Sequence, residues 1–486
     1  MGTTYGQVII GAGFAGLCAA IKLKQAGEHN FVLLERNAHL GGTWYDNHYP
    51  GAACDVESHL YSFSFEPKAD WSRNFGPQQE ILAYMEYCAT KYDVARHIHY
   101  NQHVTAAVFN QATSTWTVST ATGEEYTGRV LLSCSGSLSQ PALPAIKGLN
   151  DFKGPLFHSA QWDRSFDYRG KTVAVIGTGA SAIQLVPAIA PDVKQLLLFQ
   201  RTPPWILPKP DAAIGSIRRW LYTNLPFMQR LYRYRLYWQH EALALGFLKL
   251  PVLMKIAAPV AKLFIKRSVN DKALQQKLVP NYSMGCKRIL LSNNYYPALN
   301  RSNVQLLTNG IAEVNATGVL TADGVQHNAD AIVLATGFAA AEQVIRYTVK
   351  GLNGRTLSDD WRDGAEAYLG TMASGYPNMF MVIGPNTGLG HSSMLLMIEA
   401  QVNLIMDALR TIKQTGARYV NVKADVQQQY NKQLQQKLAN TVWQTGGCVS
   451  WYQLHNGKNI INWPGFTFTF MRRTKKFEKE NYEIVV

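Results

Sequence analysis

An α/β fold with two Rossmann-like βαβ units and a helical insertion is predicted from three features of the 486-residue sequence. An apolar strand, a glycine turn and a small-residue helix occur together twice, beginning at Gln7 and at Lys171. Further short apolar strands follow the second unit, at Val304–Leu307, Ala331–Ala335 and Met379–Ile383. Between Trp205 and Gly285 the strand–helix alternation stops, and long stretches of Leu, Tyr, Arg and Lys read as helix.

The first unit reads Gln7-Val-Ile-Ile-Gly11-Ala-Gly13-Phe14-Ala-Gly16, then a helix over Leu17–Gln25 and a strand over Phe31–Leu34. Glycines at 11, 13 and 16 let the backbone approach a pyrophosphate, and the helix N-terminus offers free N–H groups to that anion. Glu35 ends the second strand, at the offset where an acid accepts ribose hydroxyls. The alternative is a tight strand-to-helix packing turn.

The second unit runs from the strand Lys171–Ile176 through Gly177-Thr178-Gly179-Ala180-Ser181, a helix that contains Gln184 and ends near Ile189, and the strand Gln195–Phe199. Two such units imply two nucleotides. After the last strand comes Gln200-Arg201-Thr202, with no acid to read a ribose 2′-hydroxyl. Arg201 suits a 2′-phosphate, which favours NADPH over NADH; a surface arginine is the plainer alternative.

The strand ending in Ala-Thr-Gly337-Phe338 returns the chain to the second unit, and Met379–Ile383, the turn Gly384–Ser393 and a helix over Ser393–Arg410 return it to the first. The expected domains are therefore 1–142 with 373–486 for the first nucleotide, 143–206 with 286–372 for the second, NADPH, and 207–285 as the helical insertion.

Composition narrows the classes. With 47% hydrophobic and 16% charged residues the chain is folded, and its length calls for two or three domains. The six cysteines form no CxxC pair and no histidine cluster has metal spacing, so neither a disulfide framework nor a metal site is expected, and a reducing, cytoplasmic setting is. The N-terminus reads as strand and glycine turn where a signal peptide would be apolar helix. Met1-Gly2 lacks the hydroxyl residue that myristoylation needs, because position 6 is Gly6. The most apolar stretch, Ala242–Ile265, is broken by Lys249, Lys255, Lys262, Pro251 and Pro259 and is not expected to span a bilayer.

The net charge of +14 is concentrated in residues 201–290, which hold 16 Lys/Arg and three Asp/Glu. No nucleic-acid motif accompanies the patch, which leaves a cofactor phosphate or a membrane surface as its partner. Lys255, Lys262 and Lys266 share one helix face with apolar residues around the remainder. Peripheral attachment to anionic lipid is one reading, and a core-packed helix with snorkelling lysines is the other.

The segment Gly41-Gly42-Thr43-Trp44-Tyr-Asp-Asn-His-Tyr49-Pro50-Gly51-Ala-Ala-Cys-Asp55 resembles the first long signature of type I Baeyer–Villiger monooxygenases. Phe152-Lys-Gly154-Pro-Leu-Phe-His158-Ser-Ala-Gln-Trp162-Asp163 resembles their second; flavin-containing monooxygenases carry Tyr or Phe in place of Trp162, and many family members have proline in place of Asp163. The resemblance continues through Met394 and Trp451 and is weakest in the insertion.

That resemblance implies a set of roles. NADPH reduces FAD, O2 adds at the flavin 4a carbon, and the resulting peroxide attacks a ketone to give an ester or lactone, or oxidises a sulfide. Arg288, in Gly285-Cys-Lys287-Arg288-Ile-Leu, stabilises the peroxide; Asp55 orients it. Thr43, Trp44, Tyr61, Val104 and Met394 belong to the flavin site, with the Gly388–Met394 turn aiming a helix N-terminus at the flavin pyrimidine. Lys287 contacts the NADP phosphate beside Arg201 and Thr202, Trp451 reaches over the NADP ribose, and His158 couples domain motion.

The rivals are a flavin-containing monooxygenase acting on nitrogen or sulfur, an uncoupled NADPH oxidase, and a membrane-docked flavoprotein. A disulfide reductase is set aside because Cys54 has no partner within five residues. Which ketone or sulfide reacts, and the oligomeric state, depend on loop and insertion shape and stay open.

Overall fold

The computed structural model describes residues 4–250, 252–341 and 344–486; the Met1-Gly2 motif and Pro251 lie outside the described residues. The first glycine-turn strand, Thr4–Ile10, pairs in parallel with Phe31–Leu34 on one side and Glu125–Ser133 on the other. Its inner residues are buried on both faces, as a parallel strand between helix layers requires. Ile98–His99 extends this sheet beyond Phe31–Leu34. The antiparallel strands Thr115–Thr120 and Val104–Asn110, then Thr348–Lys350, extend it from Glu125–Ser133. Met379–Met381 pairs with Glu125–Ser133, so this late segment rejoins the first sheet.

The second sheet has five parallel strands in the order Val304–Leu307, Gln195–Phe199, Thr172–Ile176, Ala331–Leu334, Leu156–His158. An antiparallel meander, Ile311–Asn315, Gly318–Thr321 and Gln326–Asn328, stands apart from it. Residues predicted to form the insertion build helices Ser216–Asn224, Pro226–Leu248, Val252–Ser268 and Lys272–Lys277. Among the described residues no single helix is long and apolar enough to cross a membrane, and the two longest of these four meet at 108°.

Each glycine turn crosses a strand end too closely for a side chain. Gly11 has φ +102°, and a Cβ there would lie 2.7 Å from the Cys134 carbonyl oxygen. Gly177 has φ +110° and would collide with the Ala335 carbonyl in the same way. The helix expected from Ser393 begins at Met394 and runs to Thr415, capped at its start by Ser393 Oγ, which accepts from the Leu395 N–H at 3.3 Å, and at its end by left-handed Gly416.

The cysteine expectation needs correction. Cys286 and Cys448 are joined in a disulfide, with Cα atoms 6.1 Å apart, while Cys18, Cys54, Cys88 and Cys134 are buried thiols. The partners are separated by 162 residues, and only the docking of the C-terminal loop on the segment before Lys287 brings them together.

Candidate active site

One cleft of about 1460 Å³ receives both glycine turns. Gly11, Gly13, Phe14, Glu35, Thr43, Trp44, Asp55, Tyr61, Val104 and Met394 line one part of it. Gly177, Thr178, Gly179, Ala180, Ser181, Gln184, Arg201, Thr202, Lys287, Arg288 and Trp451 line the other. Gly16 does not reach the cleft; it lies behind the turn, where a Cβ would strike the Gly11 carbonyl, so its smallness serves helix–strand packing.

In the first turn Glu35 is fixed at its strand end. Its Oε2 accepts from the Ala12 N–H at 2.8 Å and its Oε1 from the Asn37 N–H at 3.0 Å, while burial raises its pKa. Trp44 donates through Nε1 to the Tyr61 hydroxyl at 3.1 Å, which locks the two rings edge to face.

In the second turn a Cβ on Gly179 would meet nothing within 4 Å, so this backbone faces open cleft. Arg201 is exposed and Lys287 half-buried. Burial first, then repulsion from Arg201, lowers the Lys287 pKa. Two cations held at one wall gain from an anion placed between them, as a nucleotide phosphate would be.

Gln184 joins the two units. Its side-chain amide accepts from Tyr49 Oη at 2.9 Å and from the Ala53 N–H at 3.3 Å, and donates to the Ala53 carbonyl at 3.0 Å. Gly51 passes so near that a Cβ would lie 2.7 Å from the Gln184 carbonyl oxygen, at φ +82°. These contacts set the loop that carries Asp55. A second tie links the two long signatures: His48 Nε2 lies 2.9 Å from the Trp162 carbonyl oxygen.

The loop places Asp55 against Arg288. Arg288 Nε donates to Oδ2 at 2.6 Å and a terminal nitrogen to Oδ1 at 2.8 Å, a two-pronged ion pair. Burial alone would raise the Asp55 pKa, but the guanidinium outweighs it and holds the carboxyl below its ordinary value. The Asp55 carboxylate in turn raises the Arg288 pKa. The pair keeps 29% and 31% of its side-chain surface open, so it borders the cleft and is not sealed in the core.

His158 is buried at the end of the second sheet, its ring 5.6 Å from that of Phe338, with burial pulling its pKa down to about 4; it does not line the cleft. Asp163 accepts from the Ser165 N–H at 2.8 Å and hydroxyl at 2.6 Å, bonds that hold the turn. Trp451 is 40% exposed on the loop that the Cys286–Cys448 bridge staples beside Lys287.

Sequence reasoning missed a charged group beside the pair. Lys209 donates to the Cys54 carbonyl at 3.2 Å, and burial lowers its pKa. It missed also a histidine relay behind it, in which His240 Nε2 lies 2.7 Å from Glu57 Oε2 and its Nδ1 2.5 Å from the His391 carbonyl oxygen. Burial, then the charge of His240, takes the His391 pKa to about 3, so this ring is neutral. The Pro208-Lys209-Pro210 triplet was a visible signal for the first; nothing local marks His240.

The donor set fits two dinucleotides: glycine backbone lining the cleft at both helix starts, an acid fixed at one strand end and a paired cation wall at the other. A family model described as flavin-binding monooxygenase-like matches residues 6–226. A Baeyer-Villiger monooxygenase of Pseudomonas aeruginosa is 47% identical over 98% of this chain and 90% of its own length. One from Streptomyces coelicolor is 44% identical over 98% and 92%. Among solved structures, cyclohexanone monooxygenase from Rhodococcus sp. Phi1 bound to NADP+ has a TM-score of 0.88 at 29% identity, with all of both chains covered. A closed cyclohexanone monooxygenase has a TM-score of 0.91 at 27% identity, covering 100% of this chain and 99% of the other. With a cleft that joins two dinucleotide turns over an arginine–carboxylate pair, and relatives of this similarity over nearly its whole length, the chain belongs to the Baeyer–Villiger monooxygenases.

Proposed function

We propose that this chain uses FAD and NADPH to insert one oxygen atom of O2 beside a ketone carbonyl, so that ketone, O2, NADPH and a proton become ester or lactone, NADP+ and water. Sulfides are a second substrate class on this reading. On this reading residues 1–142 and 373–486 form the FAD domain, 143–206 and 286–372 the NADP domain and 207–285 an insertion, except that Thr348–Lys350 already pairs in the first sheet, so the return to the FAD domain comes before residue 373.

FAD supplies the electron transfer from NADPH and the activation of O2. Gly11, Gly13 and Phe14 give backbone to its pyrophosphate, Glu35 takes its ribose, and Thr43, Trp44, Tyr61, Val104 and Met394 bound its ring end. Gly177, Thr178, Gly179, Ala180, Ser181 and Gln184 cradle the second pyrophosphate, Arg201, Thr202 and Lys287 hold the extra phosphate, and Trp451 covers the ribose. Arg288 contributes a charge that does not titrate and spare N–H donors beyond the two spent on Asp55, which is what a negatively charged oxygen at the reacting centre requires. Asp55 aims the guanidinium and stays ionised.

The observation that carries the reading is the Arg288–Asp55 pair at the wall of a cleft that also holds both glycine turns. The test is stoichiometric: with a panel of cyclic and linear ketones, one ester or lactone is expected per NADPH consumed for at least one member. NADPH oxidation that yields only hydrogen peroxide with every ketone, or only N- or S-oxides with a parallel amine and sulfide panel, would overturn it.

A further inference from the structure

We infer that the solvent side of the helical insertion is a docking face for an anionic lipid bilayer, an interaction beyond the oxygenation reading. Helix Pro226–Leu248 carries Phe227, Leu231, Tyr234 and Trp238 at steps of four, three and four residues, which places them on one stripe. All four are exposed, Phe227 and Leu231 by more than 60%. The opposite side is the one that packs, through Gln229, Leu236, Ala244 and Phe247. Folding therefore accounts for one apolar side of this helix and not for the other.

The stripe continues off the helix. The Trp238 ring lies 6.2 Å from that of Phe468, and Phe468 and Met471 are themselves exposed on the helix Thr467–Arg473. Helix Val252–Ser268 repeats the arrangement: Met254, Ala261 and Ile265 are buried, while Ile256, Val260 and Leu263 face out. Lys255, Lys262 and Lys266 are exposed along the flank of that outward face. Tyr234, Trp238 and Phe468 touch ring to ring, so the first stripe is continuous, and exposed apolar clusters of this kind mark an interaction site.

Charge selects the occupant. Residues 216–268 hold ten Lys/Arg, and Glu241 is their single acid. Glu241 is buried, with its carboxylate accepting from the Thr467 N–H. The exposed Arg230, Arg235, Lys255, Lys262, Lys266 and Arg267 have no carboxylate partner among the described residues. A second copy of the chain would set this positive face against its like. Anionic headgroups answer the bases, and Trp and Tyr among aliphatic side chains suit the boundary between headgroup and acyl chain. The bend of 108° between the two helices fits a face lying on the membrane, since no single described helix is long and apolar enough to cross it.

The test is flotation of the FAD-loaded protein with vesicles of phosphatidylcholine alone and of equimolar phosphatidylcholine and phosphatidylglycerol. The expected result is flotation with the anionic vesicles at low salt, little with the neutral ones, and loss as salt rises. Lys255→Glu with Lys262→Glu is expected to weaken the anionic association by at least about 25-fold, from roughly fivefold for each of the two cations near the surface. Phe227→Ser with Trp238→Ser is expected to abolish it while leaving ketone-dependent NADPH consumption unchanged. The proposal is overturned if the protein stays in the bottom fraction with anionic vesicles at low salt, if neutral vesicles bind it equally, or if the same substitutions dissociate a dimer of a protein that binds no vesicle.

Discussion

Arg288 and Asp55, 233 residues apart in the chain, meet through two parallel N–H···O bonds of 2.6 and 2.8 Å at the wall of the cleft. Neither lies on the glycine-turn element of its unit. Asp55 is set by the loop that Gln184 grips from the second unit, and Arg288 by the segment that the Cys286–Cys448 bridge ties to the C-terminal loop. The Arg288–Asp55 pair is therefore positioned by contacts between the units.

Asp55→Asn keeps the size of the side chain and removes the charge that aims the guanidinium. A fall in kcat of roughly 10²-fold is expected for ketone oxygenation, with the NADPH KM changed little, because the lost interaction acts at the reacting centre. Steady-state kinetics on both substrates check this. A rise in NADPH KM at unchanged kcat would assign Asp55 to cofactor binding.

The wall formed by Arg201 and Lys287 is expected to discriminate the two nicotinamide cofactors. Arg201→Ala removes a charge-assisted contact worth about 1.5–3 kcal/mol, which raises the NADPH KM by roughly ten- to a hundredfold and leaves NADH almost untouched. Comparing KM for the two cofactors in wild type and variant measures it.

Two ion pairs give stability opposite pH limits. The folded Asp55 carboxyl titrates below its ordinary 3.8, so its contribution is complete above that value and disappears as pH falls through the lower folded value. For His240, burial works to lower the pKa but the Glu57 carboxylate outweighs it and the net direction is up from 6.5. Its contribution is complete below 6.5 and is lost as pH rises through the higher folded value. Urea unfolding from acid to mildly alkaline pH is expected to show His240→Gln flattening the alkaline decline only.

Reducing the Cys286–Cys448 bridge frees the loop that bears Trp451 from the segment bearing Lys287 and Arg288. Cys448→Ser is expected to lower stability by about 2–4 kcal/mol and to raise the NADPH KM. Denaturant titration with and without reductant is the check; reductant should move the wild type and not the variant.

The two glycine turns and the strand ends that carry Glu35 and Arg201 were legible because their signals are local: strand, turn and helix lie within one short stretch. Asp55 and Arg288 carried no such signal. In isolation the first reads as a helix cap and the second as a surface strand residue, and only the resemblance of their flanking segments paired them. Lys209, His240 and the Cys286–Cys448 bridge escaped because each depends on how the insertion or the C-terminal loop docks. The insertion was legible as helices and as a basic patch. Which side of it faces water was not, since Arg, Gln, Tyr and Leu are mixed around helix Pro226–Leu248 and mark no single polar face, and Phe227, Leu231 and Trp238 are exposed.

The central claim is tested most directly by the ratio of ester formed to NADPH consumed in Arg288→Ala, with FAD content matched to wild type. Without the guanidinium, ester formation is expected to fall by about 10²–10³-fold while any residual NADPH consumption ends in hydrogen peroxide. An Arg288→Ala protein that still yields one ester per NADPH at the wild-type rate would contradict the account.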